Sequence, residues 1–577
     1  MWQMLEKQPS SNLELLTGAE ILVQSLIQHQ VDLLFGYPGG AILPVFDSFY
    51  TTAFHNVLIR HEQAAAHAAE GYAKTSGKTG VACVTSGPGA ANTLTGIADA
   101  MLDSVPLVVF TGQVATSAIG THAFQELDIV KMATPITKAC FQVTSVESLP
   151  TILDRAFELA QAGRKGPVLV DLPKDVMGQK CYIQKDRLAH QQPRLVPQPT
   201  LSLEQTQQVQ FILASLKAAR KPVVLVGAGV TAAKASALLR TFVTRWHVPV
   251  VSTLLGLGNV PVTSDLSLGM AGMHGQFAAN MALHECDFLL NIGARFDDRL
   301  VPNVAKFAPN AKIAHVDIDA NEIGRIVPVD LPFVGDAHLA LQALLQADLA
   351  PEFQQWQSWL QLCQQRHLDH PYHYHKAEAK LKPQEVIGAV GTVTKGQAIV
   401  VTDVGQHQMW AAQFYPYQMA NQLVTSGGLG TMGFGIPAAI GAAYAHPDKT
   451  IVLFVGDGGF QMTSEELEVL AIEQLNIKIV LLNNQTLGMV RQWQDEFYQQ
   501  HHSASMFPQQ PNFEALAAAY GISYQTLQKQ DDLVAKLDLI FAKPGPFLIH
   551  VPIPTFEQVY PMIAPGHGNN EMMGVDD

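Results

Sequence analysis

Ile451-Val452-Leu453-Phe454-Val455 runs directly into Gly456-Asp457-Gly458-Gly459. Five consecutive apolar residues mark a strand buried on both faces, as in a parallel sheet. The switch to glycine and aspartate puts an acid and a permissive backbone at the strand's carboxyl end, where open α/β sheets bind their ligands. A helical stretch is predicted from Thr463, and a second strand, 479–483, ends in Asn483-Asn484, so that Asn484 lies 27 positions after Asp457. One carboxylate and one amide oxygen on neighbouring strands suit Mg²⁺, which takes few protein ligands and fills its shell from phosphate and water. The glycines let a diphosphate come close to the backbone. Taken singly, each motif is an ordinary turn; at this separation and in this strand context they point to a metal–diphosphate site.

The same pattern extends outward in both directions. Apolar runs at 81–85, 107–111, 168–171, 223–226, 288–292, 313–317, 399–403 and 547–551 alternate with Ala- and Leu-rich helical stretches. That alternation predicts an α/β fold with doubly wound parallel sheets. A Gln/Pro-rich stretch at 183–204 and a polar one at 354–380 read as linkers. Three units follow, at 13–182, 200–350 and 375–555. The first and last echo each other in Thr85-Ser86-Gly87 and Thr425-Ser426-Gly427, each opening a small-residue helix, an echo that chance would also explain.

Composition bounds the function. The chain has 577 residues, 48% of them hydrophobic and 15% charged, which is enough to build several cores. A net charge of -14 with no basic cluster argues against nucleic-acid binding. Five cysteines without a C-x-x-C pair form neither a disulfide framework nor a zinc site, and fit a reducing compartment. Residues 1–12 show no secretory signal, and no run of about 18 apolar residues is present to span a bilayer. The expectation is a cytoplasmic protein with no membrane and no nucleic-acid partner.

Three further stretches carry chemistry by residue type. Glu62 precedes the Ala-rich stretch 64–69, whose small side chains let a helix pack closely and bury the acid; the other reading is a solvated glutamate at a helix N-terminus. His61, Glu62 and His67 imitate a metalloprotease helix, but H-E-x-x-H needs histidines four apart and these are six apart, so zinc is rejected. Arg295-Phe296-Asp297-Asp298-Arg299 offers guanidinium groups suited to a carboxylate, or else forms a surface ion-pair cluster. Gly227-Ala228-Gly229-Val230-Thr231-Ala232 matches a dinucleotide fingerprint. The acid expected about 20 residues later is missing from the next strand region, 248–255, and a nicotinamide site is unsupported.

Gly-Asp-Gly followed at this distance by Asn-Asn resembles the cofactor motif of thiamine-diphosphate enzymes. In chain order, Gly36-Tyr37-Pro38-Gly39-Gly40-Ala41, Arg60-His61-Glu62-Gln63, Ala123-Phe124-Gln125-Glu126 and Leu172-Pro173-Lys174-Asp175 are similar to signatures of acetolactate synthase catalytic subunits. So are Gly272-Met273-His274-Gly275, Arg295 to Arg299, Ser426-Gly427-Gly428-Leu429-Gly430-Thr431-Met432-Gly433 and Gly488-Met489-Val490-Arg491-Gln492-Trp493-Gln494. Only the tails and linkers lack such matches.

The resemblance implies thiamine diphosphate, Mg²⁺ and FAD as cofactors. It assigns Glu62 to N1′ of the aminopyrimidine, the Gly430 carbonyl to its 4′-amino group, and Met432 to holding the cofactor bent. Gln406, His407, Gly456, Gly458, Gly459 and Met489 become further cofactor contacts. Asp457, Asn484 and the main chain at Thr486, a position often Glu in the family, become the metal ligands. Arg299, Lys174 and Gln125, with Phe124, are implied to serve the substrate, and Trp493 to wall the acceptor pocket beside Met489 and Val490. For Met432 a plain core role is the alternative. A structural FAD is implied at Arg164, Thr253, Leu254, Gly272, Met273, His274, Gly275, Arg295, Asp317 and Asp319. Lys165 and Ala115 also depart from the usual pattern, both replacing proline.

The implied activity is that of a transferase, a carboligase. It decarboxylates pyruvate and condenses the two-carbon unit with pyruvate or 2-oxobutyrate, giving 2-acetolactate or 2-aceto-2-hydroxybutyrate in branched-chain amino-acid synthesis. A homodimer or tetramer is implied, with Glu62 and Asp457 from different subunits, and a small regulatory subunit as a further partner. Within the class, a catabolic acetolactate synthase should lack the Arg295 to Arg299 pattern, glyoxylate carboligase the glutamate at 62, and pyruvate oxidase the Met489 to Trp493 motif. The tail 564–577 either covers the site or has no fixed structure.

Overall fold

Eighteen strands build three six-stranded parallel sheets in a computed structural model that describes residues 12–184, 200–347, 353–377 and 379–575. The first sheet contains β1 (Leu34–Tyr37), β2 (Asn56–Leu58), β3 (Gly80–Val84), β4 (Leu107–Gln113), β5 (Ala139–Gln142) and β6 (Pro167–Pro173). The second contains β7 (Pro222–Val226), β8 (Val250–Ser252), β9 (Ser267–Met270), β10 (Phe288–Ile292), β11 (Lys312–Asp317) and β12 (Leu331–Val334). The third contains β13 (Ile399–Thr402), β14 (Leu423–Val424), β15 (Ile451–Gly456), β16 (Ile477–Asn483), β17 (Ser523–Thr526) and β18 (Phe547–Pro552). All ten apolar runs read from the sequence are strands. Every residue of β4 and β16 is buried, as expected of strands covered by helices on both faces.

The first and third sheets share one strand order, β2-β1-β3-β4-β6-β5 and β14-β13-β15-β16-β18-β17. The second has the doubly wound dinucleotide order, β9-β8-β7-β10-β11-β12. The likeness of first and last units therefore extends to topology, but the Thr-Ser-Gly echo is out of step. Thr85 follows the third strand of its sheet and Thr425 the second of its own. By topology, the turn at 85–87 corresponds to Gly456-Asp457-Gly458-Gly459.

Two compact units emerge, one holding the first sheet and the other holding the second and third. Most of the linker read at 183–204 lies outside the described residues. Its far end is already structured: Ser202 and Gln205 form a capping box that starts the helix Leu203–Ala218. The polar stretch at 354–380 is not simply a linker. It contains the helix Gln357–Asp369, with Trp359, Leu360 and Cys363 buried in the second core and Trp359 Nε1 donating to the Pro222 carbonyl at 3.1 Å. Its apolar residues recur at helical spacing, hidden among glutamines.

The described part of the tail, 564–575, docks on the second unit. Asn569 is fully buried and donates to the Leu300 carbonyl at 3.1 Å, and Asn303 donates to the Gly566 carbonyl at 2.7 Å. Among the described residues no helix is long and apolar enough to cross a membrane.

Candidate cofactor and substrate site

β15 and β16 are parallel neighbours, with Gly456 opposite Leu482, so Asp457 and Asn484 leave adjacent strand ends. The helix begins at Asp457 itself (Asp457–Met462), earlier than the Thr463 start expected from sequence. The two residues line a half-open cleft together with Gln406, His407, Met432 and Met489. Gly456, Gly458, Gly459 and Thr486 line it too.

Gly488 packs so tightly that a Cβ there would lie 2.0 Å from Gln406 Oε1. Gln406 is held by Gln492 Oε1 at 2.8 Å and the Glu557 carbonyl at 2.9 Å, while Asn484 Nδ2 donates to Gln406 Oε1 at 3.3 Å. Asn484 Oδ1 accepts from the Thr486 amide at 3.3 Å.

Three features of the cleft suit a diphosphate carried on a divalent cation. His407 is buried and its Nε2 has no hydrogen-bond partner, a polar atom left open towards the cleft. Burial pushes its imidazole down to about 3, against an opposing hydrogen bond to the backbone of Asp403. Asp457 is likewise buried, which pushes its carboxyl up to about 6 despite hydrogen bonds from Gln510 and nearby backbone. A cation beside it would reverse that cost. Finally, Gly456, Gly458 and Gly459 line the cleft with bare backbone, and a Cβ at Gly458 would press on Leu487 Cδ2 at 2.7 Å.

Asp403, Gln510 and Gln492 were not singled out from the sequence. Asp403 had a legible signal, since it directly follows β13. Gln492 stands inside the Gly488 to Gln494 signature but has no role of its own there, and Gln510, a glutamine in polar surroundings, carries no signal.

In the same unit Arg299 is exposed, with its guanidinium 5.9 Å from the centre of the Trp493 ring and 3.7 Å from Met273 Sδ. The Met273 amide donates to the Arg299 carbonyl at 2.8 Å, and Gly272, at φ +109°, leaves no room for a Cβ against that carbonyl. The Gly272 turn and the Arg299 loop are thus one assembly.

Thr253, Gly272, Arg295 and Asp317 follow or end β8, β9, β10 and β11, so the donors expected for FAD gather along one carboxyl edge. Leu254 continues from Thr253 into a short 3-10 turn, and Asp317 Oδ1 accepts from the Asp319 amide at 2.8 Å. His274 is turned inward, with Nδ1 3.3 Å from the Pro561 carbonyl, and burial pushes its pKa down to about 4. The glycines of the 227–232 fingerprint serve packing: a Cβ at Gly227 would lie 2.2 Å from the Gly293 carbonyl oxygen.

In the other compact unit, Glu62 is the first residue of the helix Glu62–Ser76, capped by His61, whose Nδ1 accepts from the Gln63 amide at 3.2 Å. It is partly buried, accepts from Asn92 Nδ2 at 2.9 Å and lies against Gly89. Gln125, at φ +61°, packs its backbone under Gly87. Lys174 is exposed at the start of the helix Lys174–Gly178, Phe124 is exposed, and Arg164 Nε donates to Ser104 Oγ at 2.9 Å. Glu62, Gly87 and Lys174 all follow carboxyl ends of the first sheet's strands.

Three family models match the chain, all of the thiamine pyrophosphate enzyme class: the N-terminal TPP binding domain over 16–132, the central domain over 209–344, and the C-terminal TPP binding domain over 403–551. Fold and site define an enzyme of that class. The acetolactate synthase large subunit of Lactococcus lactis subsp. lactis (strain IL1403) is 49% identical over 562 residues, 97% of this chain and 96% of the relative. The isozyme 2 large subunit of Escherichia coli (strain K12) is 44% identical, covering 97% and 99%, and its isozyme 3 large subunit is 43% identical over the same shares. The chain belongs to the acetolactate synthase large-subunit family.

Proposed function

We propose that the protein is the catalytic subunit of an acetolactate synthase acting in branched-chain amino-acid synthesis. Two pyruvates and one proton give 2-acetolactate and carbon dioxide; with 2-oxobutyrate as acceptor the product is 2-aceto-2-hydroxybutyrate. The observation that carries the reading is the glycine-floored cleft in which Asp457, Asn484 and the unpartnered His407 Nε2 converge.

Thiamine diphosphate, when bound, supplies the carbon nucleophile and electron sink that side chains lack. Asp457, Asn484 and the main chain at Thr486 hold Mg²⁺. Gln406 and His407 bind diphosphate oxygens, and Gly456, Gly458 and Gly459 let the backbone come close. The Gly430 carbonyl and Met432 orient the pyrimidine, and Glu62 holds a proton at its N1′. The apolar side chains of Leu487 and Met489 line the cleft and would displace water from a bound substrate, which favours loss of the donor's carboxylate. Arg299 binds the acceptor's carboxylate, Trp493 walls its alkyl end, and Lys174 and Gln125 assist from the first domain's residues. Thr253, Leu254, Gly272 to Gly275, Arg295, Asp317 and Asp319, with Arg164, would hold FAD, which would serve a structural role.

The domains are taken as 13–182 for the pyrimidine, 200–350 for FAD and 375–555 for diphosphate and metal. The assembly is a homodimer or tetramer, and the relatives' description as large subunits supports a separate small regulatory subunit. All five cysteines are free, which supports a reducing, cytoplasmic setting.

The test is acetolactate formation by the purified protein from pyruvate, with each cofactor omitted in turn. Product that requires both thiamine diphosphate and Mg²⁺ is expected. No product in the complete mixture, or undiminished product without thiamine diphosphate, would refute the function.

A further inference from the structure

The turns at 430–433 and 456–459 come from separate stretches of chain, yet one buried carboxylate ties them together. Asp403 follows β13 and is fully buried. Its Oδ1 accepts from the Val404 amide at 2.9 Å, and its Oδ2 accepts from the Gly433 amide at 3.0 Å and the Gly435 amide at 2.8 Å. The same Oδ1 fills the space over the diphosphate turn, since a Cβ at Gly459 would lie 2.2 Å from it. The backbone of Asp403 meets the His407 ring as well. Gly433 has φ +88° and Gly430 φ +72°, conformations that leave the turn loosely determined by its own residues. A carboxylate receiving several amide N–H groups makes strong, directional bonds and sets such a turn in place.

We propose that Asp403 is a positioning residue: its carboxylate sets the spacing between the pyrimidine-side turn at 430–433 and the diphosphate-side turn at 456–459. The proposal rests on the reading of the cleft given above. Asp403 touches neither substrate nor reacting atoms; it acts through Gly433, Gly435 and Gly459. Asparagine at this position keeps the volume but turns one acceptor into an NH₂ group facing backbone N–H donors. The 430–433 turn should then drift, while the metal ligands Asp457 and Asn484 stay where they are.

The experiment compares wild type with Asp403→Asn by calorimetry, using thiamine diphosphate with Mg²⁺ and, separately, inorganic pyrophosphate with Mg²⁺. In the variant the Kd for thiamine diphosphate should rise by about tenfold or more, and that for pyrophosphate by less than about twofold. Gly435→Ala, whose Cβ would press on the Asp403 side chain at 3.0 Å and on Leu453 Cδ1 at 2.9 Å, should give the same split and carries the test if Asp403→Asn does not fold. Unchanged thiamine diphosphate affinity overturns the proposal. So does equal weakening of both ligands, which reduces Asp403 to a fold residue. A wild-type protein that binds pyrophosphate–Mg²⁺ and thiamine diphosphate no better than a buffer blank sinks the cleft reading itself, and the proposal with it.

Discussion

The Arg299 guanidinium stands 5.9 Å from the centre of the Trp493 ring, a cation facing an aromatic wall, with Phe497 edge-on behind at 5.4 Å. The arrangement joins a loop of the second sheet to the helix Gly488–Phe497 that follows the third. A bound 2-oxo acid would place its carboxylate on the guanidinium and its alkyl end against the indole. Trp493→Leu should therefore lower the preference for 2-oxobutyrate over pyruvate. One methylene against such a wall is worth about 1–3 kcal/mol, so the preference should fall by roughly tenfold. The products formed in direct competition measure it, and an unaltered ratio removes Trp493 from the acceptor pocket.

Glu62 holds its place through Asn92 Nδ2 at 2.9 Å and the start of its own helix. Glutamine there keeps the shape and removes the carboxylate proposed to hold the proton. Glu62→Gln should slow hydrogen–deuterium exchange at C2 of bound thiamine diphosphate by about 10²-fold or more. Binding of metal and diphosphate should stay close to wild type. Exchange at the wild-type rate would contradict the role given to Glu62.

Behind Glu62, its helix buries Glu70 among His67, Lys74, Asp99 and Asp103. Lys74 pairs with Asp103 at 2.6 Å, and His67 Nδ1 lies 3.3 Å from Glu70 Oε2. Burial pushes the Glu70 carboxyl up to about 8, with Lys74 pulling it down and Asp103 pushing it further up. The folded state therefore keeps a proton that the unfolded chain releases above about pH 4.5. Its stabilising contribution is complete below that pH and declines as pH rises towards 8. Asp99, pushed up to about 7, adds to the same slope. Glu70→Gln should flatten the fall of the thermal midpoint between pH 5 and 8, and a slope equal to wild type would show that Glu70 is ionised throughout.

What could be read from the sequence follows the sheets' anatomy. Strands covered on both faces, such as β4, β15 and β16, are unbroken apolar runs and were all visible. The six edge strands β2, β5, β9, β12, β14 and β17 were not identified as strands. Edge strands such as β5, β12 and β17 expose much of their length and run only four residues; β5 and β17 mix polar with apolar residues and β12 contains a proline, so no period emerges. Central β1 was missed as well, a four-residue strand containing Gly36. The helix Gln357–Asp369 reads as a linker because its exposed face is rich in glutamine and its buried stripe is only Trp359, Leu360 and Cys363.

By itself the sequence determined the α/β class, the three-sheet plan and the Gly456-Asp457-Gly458 to Asn483-Asn484 motif. Each is written in contiguous residues whose order along the chain already dictates their chemistry. Only the tertiary structure decided that Asp403 binds one glycine turn and abuts another, that His407 Nε2 is buried without a partner, and that Arg299 faces Trp493. Those relationships join side chains remote in sequence, and distance along a chain says nothing of proximity until packed helices and parallel strands bring their ends together.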